Sequence, residues 1–247
     1  MKLKIRNDNI FYHIHIPKCG GTTLTGILKD HFGKSSTLDG MSPLWEDFLL
    51  NKLEFHQLQQ IKAVSGHVVY RVHNRCIGTP IYVALVRAPI ERCISAIKFI
   101  RNDAEHYLYP EIVGKNLDDS FEKLLQLGEY RLIGRQCEFI CSSNNFEIAK
   151  KTIEEKYFLV APLERFDDFI KIISAFILRK HVIYPIKNKN YDSKTDDYLS
   201  DSNINIIYDI ASEDFKLLEY VRDSFEEQWG FFLDNFRYPD FDESLKT

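Results

Sequence analysis

The chain has 247 residues, 45% of them hydrophobic, enough for one large α/β domain with a full core over residues 1–247. A formal net charge of −4 excludes a broadly basic nucleic-acid binder, so no nucleic-acid partner is expected. The charge is uneven: residues 61–101 carry seven basic groups against Glu91 alone, whereas residues 191–247 hold 15 acids and 5 bases. This pattern suits a small anionic ligand held at a basic centre, with a solvated acidic surface elsewhere.

The five cysteines (Cys19, Cys76, Cys93, Cys137 and Cys141) are odd in number and include no CxxC pair. No histidine pair with zinc-ligand spacing accompanies them, so neither a disulfide framework nor a metal site is expected. They read as buried thiols of a reducing compartment. The N-terminus has no apolar signal segment and no stretch is long enough to span a bilayer, which predicts a cytoplasmic protein with no membrane partner.

In chain order, Phe11–Ile16 is aromatic and β-branched and predicts a buried strand, ended by Pro17. Gly20 and Gly21 follow, and Thr22 or Thr23 is placed to cap a helix from Leu24 to about Phe32. A helix N-terminus reached through glycines attracts phosphate or sulfate, and Lys18 adds a full charge. Lys18 precedes the glycines, whereas the Walker A lysine follows them, which argues against an ordinary ATPase or kinase. A strand–turn–helix corner without a ligand is the other reading.

Residues 33–42 read as a polar connector and 43–62 as one helix. Ala63–His67 is a short apolar run ending in Gly-His, and residues 78–80 are a turn. Ile81–Val86 is apolar throughout, as a central parallel strand covered on both faces should be. Ile90 to about Asn102 predicts a helix, residues 103–120 a loop or lid, and 121–127 and 130–141 helices. Tyr157–Ala161 is another buried strand and Phe169 to about Arg179 a helix. Residues 185–203 are a polar loop, Ile204–Trp229 is largely helical, and the tail from Leu233 is a surface extension. The alternation predicts a three-layer α/β/α fold with a central parallel sheet.

In such sheets ligands bind beyond the carboxyl ends of the strands. Lys18, Gly66-His67 and Arg87 fall at three such ends. Arg87 and Ser95 together can grip a second phosphate, the arginine as a fork and the serine as a neutral donor. A surface ion pair with Glu91, or a serine bonded back to its own helix, would serve no ligand. His67 taken alone reads as a structural histidine. His13 and His15 share a strand face as packing residues, with His15 the nearer to the site. His73, Glu105 and His106 read as surface, and Glu164-Arg165 as a structural ion pair.

Four segments together, His15–Leu24, Ser65–His67, Val83–Ser95 and Val160–Phe166, resemble the PAPS-dependent sulfotransferases of the carbohydrate type, in particular the group containing heparan sulfate 2-O-sulfotransferase and its bacterial relatives. The resemblance runs in order from about residue 11 to 170. It implies a P-loop-like sulfotransferase fold and transfer of a sulfuryl group from PAPS to a hydroxyl or amine, releasing PAP. It assigns Lys18, Cys19, Gly20, Gly21, Thr22 and Thr23 to the 5′-phosphosulfate, and Arg87 and Ser95 to the 3′-phosphate. His67 matches the catalytic base, and residues 186–194, with Lys187, Lys189 and Lys194, fall where a loop covers the nucleotide. Cys19 stands where threonine is common, and Ala88 where aspartate is. Basic segments that would grip a polyanionic glycan are not evident, which tilts the acceptor towards a small metabolite over a matrix polysaccharide. The competing readings are a small-molecule kinase and a non-catalytic PAP-binding homologue.

Overall fold

The structure is a computed structural model that describes residues 8–75, 78–178, 182, 184 and 198–235. Cys76, the segment 186–194 that the resemblance places over a nucleotide, and the side chain of His73 lie outside the described residues.

Five strands, β1 (Asn9–Ile14), β2 (Thr37–Asp39), β3 (Ala63–Gly66), β4 (Thr79–Val86) and β5 (Tyr157–Pro162), form one sheet in the order β2-β3-β1-β4-β5. Every pairing is parallel. The helices before β4 are α1 (Gly21–Phe32), α2 (Trp45–Leu49) and α3 (Phe55–Gln60). Between β4 and β5 come α4 (Pro89–Arg101), α5 (Tyr109–Ile112), α6 (Leu117–Gln126), α7 (Tyr130–Ile133), α8 (Gln136–Cys141) and α9 (Phe146–Lys156). After β5 come α10 (Phe166–Ile173), α11 (Asp201–Ile210) and α12 (Ser212–Asn235). The result is the three-layer α/β/α arrangement that the alternating pattern predicts.

The two faces of β1 follow from its period of two. Tyr12 lies in register with Tyr82, and Tyr82 with Tyr157, with ring centroids 5.2 and 5.4 Å apart. The Tyr157 hydroxyl donates to the Ile140 carbonyl at 3.0 Å, which ties this face to α8. Phe11, His13 and His15 occupy the opposite face, where α1 packs, Phe11 against Phe32 at 6.5 Å. A second apolar cluster, including Ile97, Ile100, Phe121, Leu124, Ile133 and Ile207, fastens α4 to α6, α7 and α11.

Several boundaries differ from the sequence expectation. The predicted helix over 43–62 is two helices, broken where Asn51 takes a left-handed φ of 58° and restarted by a Glu54–Gln57 capping box. The polar connector 33–42 contains β2, whose residues are all buried; Asp39 is accommodated there by Lys29 at 2.6 Å. The loop expected over 103–120 holds α5 and the start of α6, with Asn116 capping α6. The helix over 130–141 is split at Gly134 and Arg135, and α9 arises in a stretch with no predicted element, behind an Asn145 cap. Thr79 and Pro80 belong to β4 rather than to a turn, and Leu233 lies within α12. The helix expected from Phe169 starts at Phe166, and that over 204–229 is two helices meeting at Ala211. Among the described residues no helix is long and apolar enough to cross a membrane.

Gly66, at the end of β3, has no room for a side chain: a Cβ there would sit 2.1 Å from the ring of Trp45. Gly66→Ala is therefore expected to cost about 1–3 kcal/mol in denaturant unfolding and to shift the Trp45 fluorescence. Unchanged stability and emission would show that this packing is not as tight as described.

Candidate active site

The chain runs from β1 to β2 and β3 on one side of the sheet, then crosses to β4 and β5 on the other. The loops leaving β1 and β4 therefore diverge, and a crevice opens between their carboxyl ends, the usual ligand position in sheets of this kind. The crevice here is a cleft of about 730 Å³ lined by Lys18, Gly20, Gly21, Thr22, Thr23, His67, Arg87 and Ser95. Of the site residues predicted from sequence, Cys19 alone is not in the lining. It is 1% exposed beneath the loop, and its thiol donates towards Gln136 Oε1 at 3.6 Å. Burial pushes its pKa up to about 12, so it stays a neutral thiol.

The loop after β1 is shaped by two left-handed residues, Lys18 at φ 68° and Gly20 at φ 76°. At Gly20 only glycine fits: a Cβ would meet Leu163 Cδ1 at 2.7 Å. At Gly21 it would lie 1.9 Å from His15 Cδ2. Helix α1 starts at Gly21 with Gly20 as its N-cap and no side-chain cap, so Thr22 and Thr23 occupy the first turn and do not cap it as predicted. The Thr23 N–H reaches the carbonyl of the N-cap Gly20 at 3.2 Å, and the start of the helix carries its partial positive charge. A small anion fits that cradle.

The Lys18 ammonium sits 4.0 Å from the centroid of the Phe99 ring. Its pKa is lowered to about 8, first by burial and then by the nearby Arg87 charge. Arg87 donates from Nη1 to the Lys18 carbonyl at 3.3 Å and meets Glu91 at 3.5 Å. The ion pair expected as the ligand-free alternative thus exists, and the guanidinium still lines the cleft. The buried Ser95 hydroxyl makes no bond back to its own helix, unlike that of Thr25, which donates to the Gly21 carbonyl at 2.8 Å.

His67 leaves β3 and opens into the cleft. Its ring lies 4.6 Å from that of His15, edge to face, and His15 stacks on His13 at 5.3 Å. His15 therefore lines the cleft, beyond the packing role read from the strand pattern. His13 Nδ1 is 2.7 Å from the Ser65 hydroxyl, itself 2.6 Å from Thr25 Oγ1, so a buried polar chain joins β1, β3 and α1 under the loop. Burial lowers the His67 pKa, and the Lys18 charge lowers it further. A neutral imidazole facing the cleft can accept a proton.

No motif residue marks the remaining wall. His106, read as surface, and Tyr107 line the cleft; their rings stack at 4.8 Å, and His106 meets Phe99 edge-on at 6.0 Å. Phe99 lies one helical turn beyond Ser95, a spacing that could have flagged it. Glu164, Phe166 and Asp167 form part of the opposite rim. Glu164 and Arg165 do not pair with each other as expected: Glu164 meets Arg222 at 2.6 Å, whereas Arg165 binds Asp168 at 2.8 Å and also Glu226. Among the described residues no group of three or more His, Cys, Asp or Glu is arranged to hold a metal ion.

No family model matches the chain. An alignment 200 positions long, covering 69% of the chain, is 22% identical to heparan sulfate 2-O-sulfotransferase hst-2 of Caenorhabditis elegans. The chain spans 61% of that relative's length. The similarity is distant and points to sulfotransferases.

The histidine row makes stability depend on pH. The His15 pKa is lowered from 6.5 to about 3 by burial, then by His67 and Lys18. Those of His13 and His67 are also lowered, each mainly by burial. The unfolded chain therefore binds these protons first, and stability present above 6.5 is lost as the pH falls from 6.5 towards the folded values. The unfolding midpoint is expected to drop between about pH 7 and pH 5, above the ordinary carboxylate range, and less steeply in His15→Gln. An identical slope in the variant would contradict the assignment.

Proposed function

We propose that the protein is a sulfotransferase that moves the sulfuryl group of PAPS to a hydroxyl or amine of a carbohydrate or small-molecule acceptor and releases PAP. The observation that carries the reading is the meeting of two separate anion-holding groups, the Lys18 loop and the Arg87–Ser95 pair, with a neutral histidine in one cleft. A nucleotide with anionic groups on both its 5′ and 3′ sides is a natural occupant. The residues fit it: Gly20 and Gly21 leave main chain open to a 5′-phosphosulfate, and Thr22 and Thr23 add hydroxyls. Arg87 and Ser95 take the 3′-phosphate. The similarity to a sulfotransferase supports sulfuryl transfer in general.

In the proposed step the acceptor oxygen or nitrogen bonds to sulfur. The bond from sulfur to the bridging phosphate oxygen breaks, and its electron pair stays on that oxygen. Lys18 and the first turn of α1 stabilise the charge that develops there, and a ring nitrogen of His67 takes the acceptor's proton. A phosphoryl-transferring kinase is disfavoured because Lys18 precedes the glycines. Cys19, Cys93, Cys137 and Cys141 are free thiols, in keeping with the cytoplasm as the proposed compartment.

Calorimetry with PAP and with 5′-AMP, which lacks the 3′-phosphate, tests the reading first. PAP should bind about tenfold more tightly or better, the worth of a charge-assisted hydrogen bond; equal binding, or none, would remove the 3′-phosphate site. His67→Ala should lower turnover roughly 10²–10⁴-fold while leaving PAP affinity nearly unchanged, and surviving turnover would dismiss His67 as the base. The kcat/KM profile for PAPS should be bell-shaped. Its acid limb lies below 6.5, where His67 takes up a proton, and its alkaline limb near 8, where Lys18 loses its charge. Activity still rising well above pH 8 would mean that the Lys18 charge is not required.

A further inference from the structure

Gln136 and Asp214 carry no motif, yet both are fully buried beneath the cleft. Gln136 Oε1 accepts the Arg87 N–H at 3.0 Å, and Gln136 Nε2 donates to the Arg87 carbonyl at 2.8 Å. One side chain thus takes both main-chain groups of Arg87, as a neighbouring strand would. Strand β5 does not fill that role here: its last register pair with β4 is Val86 with Pro162, after which the chain turns into a single 3-10 turn over Leu163–Arg165. The same Gln136 oxygen accepts from the Cys19 thiol at 3.6 Å, inside the loop between Lys18 and Gly20. Arg87 in turn donates to the Lys18 carbonyl.

The clamp is itself held. Asp214, in the first turn of α12, accepts the Gln136 N–H at 2.8 Å and the Cys137 N–H at 3.0 Å. Fully buried Arg92 donates to the Gly134 and Arg131 carbonyls at 2.5 and 3.0 Å, bracing the same turn. Arg135 adopts a left-handed φ of 71°, a costly conformation for arginine that the surrounding bonds maintain. Three separate elements, α4, α8 and α12, converge to place one amide against Arg87.

We infer that Gln136 is a positioning residue: it fixes Arg87 relative to the Lys18 loop and thereby makes the cleft select a nucleotide with two separated anionic groups over one with a single group. The inference rests on the function proposed above. It is tested by measuring PAP and 5′-AMP dissociation constants for the wild type, Gln136→Met and Asp214→Asn, with a thermal midpoint for each. In Gln136→Met the PAP constant should rise about ten- to hundredfold, and the 5′-AMP constant should change by no more than about twofold. Asp214→Asn keeps one acceptor oxygen and should show a smaller loss in the same direction; if Gln136→Met does not fold, this variant decides. A residue that only supports the fold would lower the thermal midpoint or weaken both ligands alike, leaving the preference intact, and that result overturns the inference. A wild type with no preference for PAP overturns the function reading and this inference with it. A wild-type preference retained in the folded variants overturns this inference alone.

Discussion

Two cations, Lys18 and Arg87, are held together at the carboxyl end of the sheet with little protein charge to balance them. Glu91 reaches Arg87 only at 3.5 Å and from an exposed position, and Lys18 rests on an aromatic face. Partial burial raises the cost of the Lys18 charge, and the neighbouring Arg87 charge disfavours it further. The Lys18 pKa of about 8 expresses that tension. In the proposed function an anion in the cleft would relieve it, turning an electrostatic liability of the free protein into affinity for the ligand. Much of the rest of the structure holds these two groups where the tension is useful. The parallel sheet aims the strand ends, the left-handed residues turn the loop, and the buried Gln136–Asp214 hub keeps Arg87 in place.

The histidines obey the same physics with the opposite outcome. Packed in a row beside Lys18, His13, His15 and His67 are kept neutral by burial and by neighbouring positive charge. His15 and His67 both line the cleft, and His67 does so from beyond the end of β3, so a neutral acceptor of protons stands beside Lys18 and Arg87. A protonated imidazole would add to the positive charge of Lys18, and for that reason His67 and Lys18 are electrostatically coupled.

The sheet and most of the residues that line the cleft were legible because their signals are local. An unbroken apolar run such as Ile81–Val86 can be little else than a covered strand, and Lys18-Cys19-Gly20-Gly21 carries its turn chemistry in the letters. Arg87 and Ser95 were legible from their place after a strand and along a helix. What stayed hidden depends on partners distant in sequence. β2 is polar in composition and is buried because Lys29 accompanies Asp39. Gln136 looks like any helix glutamine until Arg87, 49 residues away, supplies its two bonds. His106 and Tyr107 sit in a segment whose helices are too short to show periodicity, and the face of His15 gains meaning only once α1 is packed on it.

A crystal structure with PAP bound tests the central claim most directly. The account predicts the 5′-phosphate on the main chain of Gly20–Thr23 with Lys18 beside it, and the 3′-phosphate between Arg87 and Ser95, leaving His67 facing the open part of the cleft. A nucleotide seated elsewhere, or one whose 3′-phosphate does not touch Arg87, would contradict it.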